Sequence, residues 1–154
     1  MTLSPRLEMA LGKLYHAFHN DHLHPEYCTK CAVGNICNNL EFWQNFTELH
    51  GSTQLNYVGI VNQKFGKRFY GYTPLELLQI EAAFLQGCGY TLPLNTTNKK
   101  PKNPKDKTVL FNGLCAAVAF LCQLDGVTNV MDLHKLFQIE NDQPKYQLQE
   151  ILDC

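Results

Sequence analysis

From Val109 to Leu124 almost every residue is apolar or small, with Leu110, Phe111, Leu114, Ala116, Ala117, Val118, Phe120 and Leu121 leaving little polar face. A helix of that composition has to be enclosed by other elements, so the rest of the chain is expected to wrap around it as a core helix. The alternative, a bilayer span, needs about 18 to 20 apolar residues in a row. The longest uninterrupted stretch, Gly113 to Leu121, is shorter, and no membrane insertion is expected.

The segments available to surround that helix are themselves helical. Ser4 and Pro5 supply an N-cap and a first-turn proline, and Leu7, Leu11, Leu14 and Phe18 follow at three- and four-residue spacing to about Asn20. Thr73, Pro74 and Glu76 combine cap, N1 proline and capping-box acid ahead of Leu77, Leu78, Ile80, Phe84 and Leu85, with Gly87 as a stop. Three weaker patterns predict helices over 39–50 (Leu40, Trp43, Phe46, Leu49), 55–65 (Leu55, Val58, Val61, Phe65, although Tyr57 to Val61 would also suit a strand) and 129–137, and a last amphipathic turn or two follows Pro144. No run alternates at period two for long enough to build a sheet.

The expectation is therefore an all-α fold of about six helices in one compact domain, 1–154, a usual domain size in which 45% apolar residues can form a core. Residues 95–107 hold five lysines, two prolines and nothing apolar, and are expected to form a solvent-exposed loop within that domain.

Chemistry concentrates between the first two predicted helices. His16, His19, His22, His24, Cys28, Cys31 and Cys37 are crowded into this short segment. The pointed element is Cys28-Thr-Lys-Cys31, since a two-residue gap lets both thiolates reach one ion at about 2.3 Å. Imidazole and thiolate together suit zinc. Cys28, Cys31 and His24 are the preferred ligands, with His19, Cys37 and Cys88 as further candidates. His16 and His19, late in the first helix, are equally explained as histidines at its negative end, and Cys88 between two glycines as part of a helix C-cap. Cys115 and Cys122 read as core residues.

Two other readings of the same cysteines stay open. Cys28 and Cys31 could form an exchange dithiol with Cys37 as resolving thiol, although the motif follows a loop and not a strand. Cys28, Cys31, Cys37 and Cys88 could hold an iron-sulfur cluster, although the narrow gap precedes the wide one, the reverse of plant-type ferredoxins. A metal-free interaction module using the lysine loop, with a protein partner, is the third possibility.

Seven cysteines without a signal-like N-terminus favour thiols or metal ligands over disulfides, and hence the cytoplasm. The formal charge of -1 does not favour nucleic acid. The stretch Lys64 to Tyr72 interleaves cations with rings, but reads as a connection whose aromatics turn inward. No zinc-protease, hydrolase-elbow, phosphate-loop or dinucleotide-loop motif is present, and no catalytic residue is assigned.

Residues 19–35 (HNDHLHPEYCTKCAVGN), 71–78 (GYTPLELL) and 84–90 (FLQGCGY) together resemble a small bacterial family, some of whose members are labelled as the F subunit of the sodium-translocating NADH-quinone reductase. That label implies flavin, NADH and a two-iron cluster. The flavin- and nucleotide-binding domains and leading membrane helix of that subunit have no matching motifs in this chain.

Overall fold

The computed structural model describes residues 3–92 and 99–127, and the predicted helices at 129–137 and after Pro144 lie outside them. The described part is all-α. Five α-helices, α1 (Pro5–His19), α2 (Ala32–Ile36), α3 (Tyr57–Lys64), α4 (Pro74–Cys88) and α5 (Lys107–Leu124), are joined by a 3-10 helix at Phe42–Phe46. The described residues contain no strand, only an isolated bridge between Phe69 and Tyr72.

The start signals for α1 and α4 act as their chemistry requires. Ser4 Oγ accepts from Leu7 N–H at 3.2 Å, satisfying one of the first-turn amides that no helix can bond internally. At α4 the capping box closes in both directions: Thr73 Oγ1 accepts from Glu76 N–H at 3.2 Å, and Glu76 Oε1 accepts from Thr73 N–H at 2.9 Å. Thr73→Ala should therefore lower the unfolding free energy by about 1 kcal/mol in a urea titration. A loss near zero would mean that the box contributes nothing.

Helices α4 and α5 form the central pair. Their close approach comes at Gly113, where an added Cβ would lie 2.3 Å from Cys88 Sγ and 2.9 Å from a Phe84 ring carbon. At the other end of the pair, Arg6 of α1 donates from Nε to Asp125 Oδ1 at 2.8 Å, reaches Glu76 Oε1 at 3.3 Å, and lies 4.5 Å over the Tyr72 ring. The start of α4 thus meets the end of α5, so the two run antiparallel, and α1 packs along α5 from the Arg6 clamp at one end to the Phe18 carbonyl beside Lys107 at the other. The core of α1 is Leu7, Leu11, Leu14 and Phe18, the stripe expected from the spacing.

The structure differs from the sequence expectation at three places. By length and composition α5 meets the measure of a bilayer-crossing helix, with a mean hydropathy of 1.5 over 18 residues, because the count over the whole helix exceeds that of its longest apolar run. Nor is it enclosed on every side by the described residues: Leu110, Leu114, Ala117, Val118 and Leu121 are buried, while Phe111, Cys115 and Phe120 are half-buried.

The predicted helix over 39–50 is replaced by the short 3-10 turn. Asn38 and Asn39 both take left-handed backbone (φ 58° and 62°), a conformation asparagine tolerates and a helix start does not use. Trp43 and Phe46 are buried, but Leu40 and Leu49 are each 51% exposed. Finally, α2 forms inside the segment expected to be a loop.

Candidate metal centre

Helix α2 begins where the Cys-x-x-Cys element ends. The turn before it is closed by His24 N–H to Lys30 O at 2.8 Å and by Cys31 N–H to Tyr27 O at 2.8 Å. Asn35, buried behind it, donates from Nδ2 to the carbonyls of Lys30 and Cys31 at 3.0 Å each. Trp43 Nε1 ties the 3-10 helix to the turn by donating to Cys28 O at 2.9 Å. These bonds place Cys31 at the N-cap of α2, where its Sγ accepts from Gly34 N–H at 3.3 Å and is wholly buried.

Opposite Cys31 stands Glu81, in the middle of α4 and 1% exposed. A buried carboxylate must have its oxygens occupied to persist. Glu81 Oε1 accepts from Val33 N–H at 3.1 Å, and Oε2 lies 3.2 Å from His50 Nε2. His50 sits in the turn after the 3-10 helix, its ring edge-on to Trp43 at 5.7 Å between centroids. Its side chain is 18% exposed, the side from which solvent reaches the group. Cys31 Sγ, His50 Nε2 and a Glu81 carboxylate oxygen all lie within 4.8 Å of one another, a cluster that could hold a metal ion.

Among the described residues no other three histidine, cysteine or carboxylate side chains converge so closely. Of the sequence candidates, Cys31 is in this group. Cys28 is outside it but near, half-buried at the head of the turn, where the Glu81 carboxylate helps to raise its thiol. His24 is turned onto Tyr27, stacked at 4.2 Å, with Nδ1 accepting from Glu26 N–H at 3.2 Å. His19 lies against Tyr15 at 4.3 Å and Phe18 at 5.3 Å. Cys37 caps the far end of α2 near Lys13, and Cys88 is buried against Gly113.

The thiols share one electrostatic condition. Burial pushes Cys31 well above its ordinary value, and the Glu81 charge pushes in the same direction. Cys37 and Cys88 are raised by burial to about 12, and Cys28 is raised by burial with help from Glu41. All four are held as neutral thiols at neutral pH, the opposite of what thiol exchange needs.

A groove of about 580 Å³ lies elsewhere, between α1 and the end of α2, lined by Gly12, Lys13, His16 and Asn38 among others, and none of the three cluster residues lines it.

His50 and Glu81 are absent from the sequence candidates. For Glu81 a signal exists: it is the lone charge on a helical stripe made otherwise of Leu77, Leu78, Phe84, Leu85 and Cys88. For His50 there is none, since only the fold brings it to the others. Comparison with family models, with curated proteins and with solved structures finds no match, so the functional reading rests on the chemistry of the site itself.

Proposed function

We propose that this protein binds a zinc ion through Cys31 Sγ, His50 Nε2 and Glu81, with Cys28, three residues before Cys31, as the fourth ligand. The observation that carries this reading is the convergence of a sulfur, a nitrogen and a carboxylate oxygen within 4.8 Å inside the core. Zinc bonds of about 2.0 to 2.3 Å in a tetrahedron put ligand atoms roughly 3.3 to 3.8 Å apart, so the three need close by no more than about 1.5 Å. Their chemical mixture suits a borderline-soft ion.

Charge supports it as well. A thiolate and a carboxylate buried side by side repel each other and are poorly solvated. A divalent cation cancels both charges, which turns the feature that raises the Cys31 thiol into a source of metal affinity. In the absence of the ion the group remains satisfied as a hydrogen-bonded cluster, with the Cys31 thiol facing the Glu81 carboxylate.

Elemental analysis of the purified, untagged chain tests this directly. About one zinc per chain is expected in the wild type. Cys31→Ser and His50→Ala should each fall well below that. Cobalt substitution should give a sulfur-to-metal charge-transfer band that Cys31→Ser removes and Cys28→Ser weakens. Metal content far below one per chain, unchanged in all three variants, would end the zinc reading.

A pH dependence follows from the Cys31 shift. Its proton must leave before the sulfur can ligate, and its folded-state affinity for that proton is raised, so metal binding weakens as pH falls and strengthens as pH rises toward the thiol's raised value. Glu81, His50 and Cys28 are the ionisable side chains that face the same sulfur. Release of the Cys31 proton gives a change of at least about tenfold in zinc affinity per unit over roughly pH 6 to 8, steeper where Cys28 ligates and releases a second, readable by competition with a colorimetric chelator. A flat profile would mean that Cys31 is not a ligand.

A further inference from the structure

Helix α3 presents an apolar face to solvent. It rests on the 3-10 helix through Gly59, where an added Cβ would lie 2.5 Å from Phe46 O and 2.8 Å from Leu55 Cδ2. Because the glycine is the buried residue of α3, the larger side chains around it point away. Tyr57 is 80% exposed, Val58 46%, Ile60 41%, and Phe65, just past the helix end, 76%. The sequence pattern that would bury Val58 and Phe65 is thus turned outward. Exposing four large apolar side chains in one short segment is unfavourable in water unless something covers them.

The charge around this face is one-sided. No carboxylate occurs between Glu48 and Glu76, while Lys64, Lys67 and Arg68 are all exposed. Arg68 reaches Glu76 only at 3.8 Å, and among the described residues Lys64 and Lys67 form no ion pair. In a chain of net charge -1 this is a local positive field beside an apolar patch.

We propose that α3 and the Phe65 to Arg68 turn form a docking surface for an anionic lipid bilayer, with Tyr57, Ile60 and Phe65 entering the interface and Lys64, Lys67 and Arg68 on headgroup phosphates. The occupant is chosen by shape and chemistry. The exposed apolar side chains project from a helix beside the cations of Lys64, Lys67 and Arg68, and a deformable apolar layer with an anionic surface complements both without needing a shaped pocket. A single-stranded nucleic acid would stack on Tyr57 and Phe65 but leave Ile60 in water. An interfacial helix uses aliphatic, aromatic and cationic side chains together. This surface is separate from the zinc reading and does not depend on it.

The test is co-sedimentation of the full chain with phosphatidylcholine vesicles, with and without roughly 30% phosphatidylglycerol. Binding is expected only to the anionic vesicles, falling as salt is raised. Phe65→Ser should weaken it about tenfold. Lys64→Gln and Lys67→Gln should each weaken it about fivefold, the effect of one cation near an anionic surface. All three are surface changes, and an unchanged melting temperature verifies that the fold is intact. Cys31→Ser should bind vesicles as the wild type does, which separates this result from that of the metal site. Absence of binding to anionic vesicles, binding that Phe65→Ser leaves untouched, or Phe65-dependent capture of a single-stranded oligonucleotide or of a second copy of the chain in place of vesicles would each overturn the proposal.

Discussion

Glu81→Leu is expected to destabilise the metal-free protein by about 3 kcal/mol and to abolish metal binding. Leucine removes the partners of the buried Val33 N–H at 3.1 Å and of the half-buried His50 ring nitrogen at 3.2 Å. Each unsatisfied buried donor costs about 1 to 3 kcal/mol, which outweighs the relief of no longer burying a carboxylate once the existing bonds have offset its desolvation. Glu81→Gln keeps an oxygen for Val33 and should lose less than half as much stability, yet it too should lose the metal.

Urea denaturation in excess chelator separates the two effects, since only the fold is then measured. Adding zinc should restore the gap between wild type and Glu81→Gln, because a ligand that binds only the folded state stabilises it by mass action. A Glu81→Leu protein as stable as the wild type would show that the carboxylate does not hold α2 to α4.

Gly34→Ala is the second large effect. An added Cβ would stand 2.3 Å from Cys28 O and 2.6 Å from the Thr29 carbonyl carbon. These are backbone atoms that no rotamer change can move, so the turn must shift away from α2. Overpacking of this kind costs about 3 kcal/mol, which for a chain of this size corresponds to a melting temperature lower by roughly 6 to 12 °C. Because the same turn carries Cys28 and sets the N-cap position of Cys31, metal content should fall with stability. Differential scanning calorimetry with metal analysis reads both. A melting point within about 2 °C of the wild type would mean that the turn is not packed as described.

The parts of the fold that could be read from the chain share a physical property, that their determinants lie within one helical turn of the boundary they set. The Ser4-Pro5 and Thr73-Pro74 starts and the Leu7 to Phe18 stripe appear as expected because caps and periodicity act locally. Helix α2 was not legible. Its cap is a cysteine, and five residues are too few to be stable except through tertiary contacts such as Val33 with Glu81. The predicted helix at 39–50 failed for a related reason. The two left-handed asparagines and the Trp43 bond to Cys28 O favour a tight turn over the helix that the Leu40, Trp43, Phe46 and Leu49 spacing suggested.

The candidate metal centre divides along the same line. That Cys31 belongs to a ligand-capable pair, and that Glu81 is an out-of-place charge within the apolar stripe of α4, are facts of the sequence. That Cys31, His50 and Glu81 form one group is a fact of packing alone, because the residues lie 19 and 31 positions apart along the chain and meet only where α2 and the turn after the 3-10 helix close over the middle of α4. Residue type and spacing decided which side chains could act as ligands and which segments are helical. Only the tertiary structure could decide which ligands meet, and which face of α3 is left to water, since both depend on contacts between segments that no local pattern encodes.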